Sequence, residues 1–451
     1  MCFVFALSLP AAPADWIWSA RWVITEDARH RVIENGAVAI LGDRIVGVGT
    51  KAEIDGRFQA KQRLDRPDAI LAPGLIDTHT HAAMSLFRGI ADDKKLQDWL
   101  EHYIFPAEAK NVNADFVRWG TRLGCLEMLL GGTTTFTDMY YFEDVVAETA
   151  REAGMRGVLG ETIIGFPVAD AKTPADALKF TEGFLARFRH DPLVVPAVAP
   201  HALYTNSDQT LQAARALANQ YGAPLIIHLS ETKKENDDAM AQRHMSPTRV
   251  LDSLGVLTGR TVAAHCVWVD DADMAILKAR GTGVAHCPSS NMKLASGVAP
   301  VVKMLAMGID VGLGPDGPAG SNNDFNMFEE MDLAAKLQKV TTLDPQALPA
   351  GQALEMATIG GARVLGMEKL IGSLEDGKRA DLILVRLDRP NAVPLYDAVS
   401  QMVYALKAED VRDVMVNGKP VVRDGRILTL DEKAILAKAA EYRLRVSQSL
   451  R

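Results

Sequence analysis

Short apolar runs alternate with amphipathic stretches of ten or more residues through the middle of the chain, the texture of strand–helix units around a parallel sheet. The strands predicted from that pattern are Leu75 to Thr80, Thr133 to Thr137, Gly157 to Glu161, Leu193 to Ala199, Pro224 to Leu229, Thr261 to His265, Gly283 to Cys287 and Ile309 to Leu313. Eight such units are what a closed parallel barrel requires. The texture changes at both ends. Ala37 to Leu41 and Ile45 to Val48 are β-rich runs punctuated by Gly36, Gly42, Asp43 and Gly47, and Asp381 to Val385 and Val411 to Val416 repeat the pattern, followed by the turn signal Asn417-Gly418. The expected architecture is therefore α/β: a (β/α)8 TIM barrel over residues 71–371 and a small β-sandwich composed of residues 14–70 and 372–430. An amphipathic C-terminal helix over 431–451 is expected to pack on the barrel surface.

A length of 451 residues suits a barrel of roughly 250 residues plus one smaller unit. Apolar residues at 48% and charged residues at 24% are ordinary for a globular protein, and a net charge of −8 without a basic run gives no footprint for nucleic acid or an anionic membrane. A small-molecule partner is expected instead. Cys2, Cys125, Cys266 and Cys287 form no CxxC pair, which points away from a disulfide framework or a thiolate metal site and towards a reducing, cytoplasmic compartment. The apolar start, Met1 to Leu9, lacks a positive n-region and is too short to span a bilayer; it reads as a signal remnant or an over-extended start, the strand pattern beginning near Trp16.

Polar residues fall at the predicted strand ends. His79 and His81 are two apart, which puts both imidazoles on one face of an extended strand; His228 ends the fifth strand with Glu231 three residues on, His265 ends the sixth, and Asp316 follows the eighth. In a barrel these ends share one mouth. A single histidine at a strand end is more often a packing residue, and a loop glutamate is usually solvated. The recurrence of His, His and Asp around one mouth is what argues for a catalytic divalent metal, Zn²⁺ first, with Fe²⁺, Mn²⁺ and Ni²⁺ sharing the same donor preferences. Such an ion acidifies a water, Asp316 can ligate it and take the water's proton, Glu231 can hydrogen-bond the substrate and shuttle a proton, and His265 can orient the nucleophile. His201 and Asp138 at strand ends have the plainer option of satisfying loop backbone groups, and His286 that of steadying the seventh loop.

The runs Pro73-Gly74-Leu75-Ile76-Asp77-Thr78-His79-Thr80-His81, His228-Leu229-Ser230-Glu231, Ala264-His265-Cys266 and Gly314-Pro315-Asp316-Gly317 together resemble the amidohydrolase superfamily. Met84 to Gly89, Trp99-Leu100, Asn291-Met292-Lys293-Leu294 and Ser321-Asn322-Asn323 are similar to the branch containing 5-methylthioadenosine and S-adenosylhomocysteine deaminases, and related triazine hydrolases share the frame. The resemblance implies one metal held by His79, His81, His228 and Asp316, with Glu231 and His265 as acid/base and orienting groups. No lysine ends the fourth strand, where binuclear relatives carry a bridging carboxylated lysine. It further implies that Glu108, in Phe105-Pro106-Ala107-Glu108, holds a ribose diol, that His201 contacts the substrate, and that a homo-oligomer is plausible.

The implied reaction is hydrolytic deamination of an adenosine-type nucleoside: 5-methylthioadenosine, S-adenosylhomocysteine, adenosine or 5′-deoxyadenosine. Where some branch members carry an arginine for an amino-acid tail, this chain aligns Glu161, which counts against S-adenosylhomocysteine, although Lys172 nearby offers a positive charge. Two other readings stand beside it: an amino- or chlorohydrolase of triazines or other heteroaromatic rings, and a non-catalytic barrel scaffold.

Overall fold

The computed structural model describes residues 11–450, so the apolar Met1 to Leu9 start lies outside the described residues. Leu75–Ile76, Thr133–Tyr140, Arg156–Ile163, Val194–Pro200, Leu225–Leu229, Thr261–His265, Gly283–His286 and Val311–Leu313 pair in sequence order, all parallel. Bridges between Asp77 and Leu313 and between Thr80 and Asp316 close the ring. All eight predicted strands are present. The first is shorter than expected because the chain beyond Ile76 serves two neighbours in turn: the amides of Asp77 and Thr80 donate to Thr135 and Thr137, and that of Thr78 donates to Leu313. This splayed path carries His79 and His81 into the mouth.

Helices begin where side chains can satisfy their first free amides. Asn113 caps Ala114–Leu130, Ser207 caps Asp208–Tyr221, and Asp270 forms a reciprocal capping box with Asp273 on Asp271–Arg280. The barrel interior is filled by Ile76, Met139, Val158, Ala197, Ala199, Ile226, Val262 and Ala285, and the helix Ile359–Leu365 plugs the end opposite the mouth. Gly283 allows that close approach, since a Cβ there would lie 2.9 Å from Val364 Cα, and a Cβ at Gly312 would lie 2.6 Å from Thr78 across the closure of the ring.

The N- and C-terminal strands form a second sheet together, as the sequence led one to expect. Its hydrogen bonding is continuous, in the order Arg426–Ile427, Lys419–Arg423, Val411–Val416, Leu382–Arg386, Phe58–Pro73, Ala12–Ile24, Val32–Leu41, Arg44–Thr50. The long strand Phe58–Pro73 joins the halves, parallel to one neighbour and antiparallel to the other. Alternation then divides the burial: Ala69, Leu71, Leu382 and Leu384 enter the sheet's own core with Trp18, Val38 and Met415, whereas Ile70, Ala72, Ile383 and Val385 pack on the barrel. Asn417 and Gly418, with φ of 50° and 76°, make the predicted two-residue hairpin turn. The helix Glu432–Ser449 lies on the barrel helix Ala114–Leu130, where Tyr442 donates to Asp115 at 2.6 Å. No helix among the described residues is long and apolar enough to cross a membrane.

Candidate active site

The strand ends bring His79, His81, His201, His228, His265 and Asp316 together at the mouth. Ring centroids lie 5.0 Å apart for His79 and His81, 4.9 Å for His79 and His228, 5.5 Å for His228 and His265, and 4.7 Å for His201 and His228. The Nε2 atoms of His79 and His81 approach Asp316 Oδ1 at 3.4 and 3.3 Å. Two groups of potential ligand atoms each fit within 4.8 Å, one from His79, His228 and His265 and one from His79, His81 and Asp316, so that His79 belongs to both.

Three of the imidazoles, His81, His228 and His265, are aimed from behind. His81 Nδ1 donates to the Met139 carbonyl at 2.7 Å and His228 Nδ1 to the His201 carbonyl at 2.8 Å, which turns each Nε2 towards the centre. His265 Nδ1 donates to Asn291 Oδ1 at 3.1 Å, with the same consequence. Asp316 accepts from Ser290 Oγ at 2.7 Å through Oδ2 and from the Gly317 amide at 2.7 Å through Oδ1. The mouth is also where backbone strain gathers: Ser230, His265, Cys266 and Asp316 have φ of 50°, 72°, 48° and 64°, in the left-handed region that side chains disfavour.

These groups fit a divalent cation on the chemistry of the donors alone. His79 is fully buried and neither ring nitrogen has a hydrogen-bond partner, a costly state that a metal bond relieves. Burial pushes His79 down to about 4 and His228 well below the usual imidazole range, so both present neutral lone pairs. Burial would also depress His81, but the hydrogen bond and charge of Asp316 override it and raise the imidazole to about 9. For Asp316 burial acts upwards and is outweighed by His79 and His81, which hold it well below the usual carboxylate range.

The cavity in front of these residues is walled by the segment after the first strand: the helix Leu96–Trp99, a widened π-helical turn Leu100–Ile104, and the helix Phe105–Asn111. Trp99 Nε1 donates to the Ala319 carbonyl at 2.9 Å, tying this segment to the loop after the eighth strand. Glu231 and Glu108 both line the cavity. Glu231 lies 3.9 Å from His265 Nε2, and burial, reinforced by Asp316, raises its carboxyl to about 8. Glu108 accepts from Tyr140 Oη at 2.7 Å and Tyr141 Oη at 3.5 Å, and burial raises it to about 7. His201 lines the same cavity and pairs through Nδ1 with Thr205 Oγ1 at 3.0 Å.

Three residues stand elsewhere. Asp138 accepts from the Ala82 amide at 2.7 Å and does not line the cavity, and neither does the buried His286. Glu161 corrects an expectation: successive strand residues face opposite sides, so Thr162 lines the cavity while Glu161 points outward and accepts from the Glu143 amide at 3.0 Å. Its charge therefore gives no argument about a substrate tail, and Lys172 does not line the cavity either. Tyr140, Tyr141, Ser290 and Tyr204 went unpredicted as site residues; the doublet Tyr140-Tyr141, at the end of the second barrel strand, was the one available signal.

A barrel with histidines and an aspartate converging on its mouth, His81, His228, His265 and Asp316 braced from behind, defines a metal-dependent hydrolase. Comparison with known proteins agrees: the amidohydrolase family pattern matches residues 70–421, and the chain belongs to that family. It is 48% identical over 429 residues to 5-methylthioadenosine/S-adenosylhomocysteine deaminase 1 of Syntrophus aciditrophicus, covering 95% of this chain and 97% of that protein. It is 47% identical over 425 residues to the corresponding deaminase of Syntrophobacter fumaroxidans, covering 94% and 97%. Among solved structures, an adenosine deaminase from Xanthomonas campestris with bound zinc superposes with a TM-score of 0.95 at 39% identity, covering 97% of this chain and 100% of that one. A zinc complex of atrazine chlorohydrolase from Arthrobacter aurescens superposes at 0.86 and 25% identity, covering 95% and 99%.

Proposed function

We propose that this chain is a hydrolytic deaminase of adenosine-type nucleosides, acting with one divalent metal, Zn²⁺ in first place, held by His79, His81, His228 and Asp316. The observation that carries the reading is the placing of two buried carboxyl groups around one imidazole cluster, Asp316 Oδ1 lying 3.4 and 3.3 Å from the Nε2 atoms of His79 and His81 and Glu231 lying 3.9 Å from His265 Nε2, with burial raising Glu231 while the histidines hold Asp316 low. When bound, the metal supplies Lewis-acid activation of water at neutral pH.

The chain's own groups then divide the work. Asp316 accepts the proton of the attacking water. Glu231 donates its proton to the purine ring nitrogen beside the carbon that carries the amine, and so prepares that carbon for attack. His265, its Nδ1 proton committed to Asn291, offers the Nε2 lone pair to orient the water. Protonation of the amine by way of Asp316 releases ammonia, and the hydroxyl proton left on the adduct passes to the Glu231 carboxylate as the carbonyl forms, restoring the acid. Glu108, steadied by Tyr140 and Tyr141, accepts the two ribose hydroxyls, and His201 hydrogen-bonds the base from the same wall.

The relatives named as deaminases and the zinc-bound adenosine deaminase of like structure support this reading. The test is ammonia release by metal-loaded protein from adenosine, 5-methylthioadenosine, S-adenosylhomocysteine, adenine, guanine, cytosine and an aminated or chlorinated triazine, with a chelated control. Turnover of the adenosines supports the reading. Turnover of the triazine alone replaces it with a heteroaromatic hydrolase, and no turnover of any compound leaves a binding scaffold.

A further inference from the structure

A second recess opens beside the cavity and shares three of its walls, Leu100, Phe105 and Tyr204. Phe166 extends the wall outward, packing edge-on to Phe105 with ring centroids 5.1 Å apart. Phe166 and Tyr204 remain 37% and 40% exposed, so a pair of large aromatic side chains faces solvent at the rim of a cavity. Across from them the recess is lined by uncharged polar groups such as Asn206, and its one charged residue is Glu101. The neighbouring recess behind Phe105 and Phe166 likewise has no lysine or arginine among its described lining residues, Glu108 being its only charged one. Arg243, which lines the hollow on the far side of Tyr204, is committed to Asp208 by two hydrogen bonds of 2.7 and 2.8 Å.

Resting on the nucleoside reading above, we infer that this recess receives the 5′-substituent of the substrate and selects uncharged, apolar substituents over anionic ones. An alkylthio group laid between Phe105, Phe166 and Tyr204 covers aromatic surface that water now wets, and each additional methyl or methylene buried there favours binding by a factor on the order of 10. A carboxylate or phosphate in the same place loses hydration, finds no cation, and meets the Glu101 carboxylate. Continuity with the cavity fixes the occupant: with the base against Glu231 and the diol on Glu108, the substituent leaving the ribose has the shared wall of Leu100, Phe105 and Tyr204 beside it.

The experiment compares kcat/KM and calorimetric binding for adenosine, 5′-methylthioadenosine, a 5′-(carboxyalkylthio)adenosine and its primary amide, using wild-type enzyme, Phe166→Ala and Glu101→Lys. The amide should exceed the carboxylate by at least about 10-fold in wild type. Phe166→Ala should lower the ratio of methylthioadenosine to adenosine by about 10-fold, and Glu101→Lys should reverse the preference between amide and carboxylate. Equal use of amide and carboxylate by wild type, or ratios that neither variant moves, overturns the inference while leaving deamination intact. Absence of turnover with every adenosine compound overturns the nucleoside deaminase reading instead, and the binding ratios still decide the recess.

Discussion

Ser290 Oγ donates to Asp316 Oδ2 at 2.7 Å, and its neighbour Ser289 is fastened to the buried Glu330, which accepts the Ser289 amide at 3.2 Å and also its hydroxyl. Glu330 additionally accepts from Asn322 Nδ2 at 3.4 Å, while Asn322 donates to the Pro315 carbonyl at 2.9 Å. One carboxyl thus braces both loops that flank the aspartate. Ser290→Ala frees one oxygen of Asp316 and should weaken metal affinity by about 10- to 100-fold, the usual consequence of losing a partner of a ligand. Competition against a chromogenic chelator measures it, and unchanged affinity would mean that the hydroxyl does not aim the carboxylate.

His228→Ala removes a donor from one of the two potential ligand groups, and Asp316→Asn removes both a charge and the proposed proton acceptor. Each should lower kcat/KM by 10²-fold or more, roughly the scale of a lost acid–base group. Metal content by elemental analysis separates the causes. Asp316→Asn enzyme that retains full metal and full activity would remove Asp316 from both roles.

Much of this site could be read from the chain because its key spacing is geometric. His79 and His81, two residues apart on the splayed segment that leaves the first strand, both reach the mouth, and eight apolar strands dictate a common mouth for His228, His265 and Asp316. What stayed hidden depends on side-chain direction across loops. Asn291 and Ser290 sit in a segment whose orientation is set by Glu330, forty residues further on, and Tyr140 meets Glu108 only because the helix Phe105–Asn111 folds over the second strand. Glu161 shows the same limit in miniature: an offset of one residue along a strand exchanges the cavity-facing position with the outward one, and Thr162 holds the former.

Glu108 is held by two tyrosine hydroxyls and lines the cavity opposite the histidines. As acceptor for a ribose diol, its charge-assisted hydrogen bonds are worth about 1.5–3 kcal/mol, so Glu108→Gln should raise KM for adenosine by roughly 10- to 100-fold. Free adenine, which lacks the diol, should be affected far less. Equal loss on both compounds would remove the ribose assignment, and Tyr140→Phe should give a smaller shift in the same direction.

A general acid works while it holds its proton. With Glu231 raised to about 8 by burial and by Asp316, kcat/KM should hold below that pH and fall as pH rises through it, because the carboxylate formed there has no proton to give. Glu231→Gln should reduce turnover by about 10²- to 10⁴-fold and abolish that alkaline limb. A variant that keeps the wild-type limb would assign the titration to another group.

A buried ion pair joins the two sheets. Arg156 on the third barrel strand donates through Nε to Asp381 Oδ2 at 2.9 Å and through Nη2 to Oδ1 at 3.2 Å, and Asp381 also accepts the Asn417 amide at 2.6 Å. Both side chains are almost wholly buried, at 4% and 3% exposure. Removing one partner leaves the other charged and unpaired away from water, so Asp381→Ala should cost about 3–5 kcal/mol of stability. Replacing both, as Arg156→Met with Asp381→Leu, removes the charges together and should recover most of that loss, although the Asn417 amide then lacks its acceptor. Urea unfolding with a probe in each sheet measures the cost and shows whether the second sheet now melts ahead of the barrel. A loss below about 1 kcal/mol for Asp381→Ala would place this pair among the weak, solvated ion pairs and deny it a part in holding the sheets together.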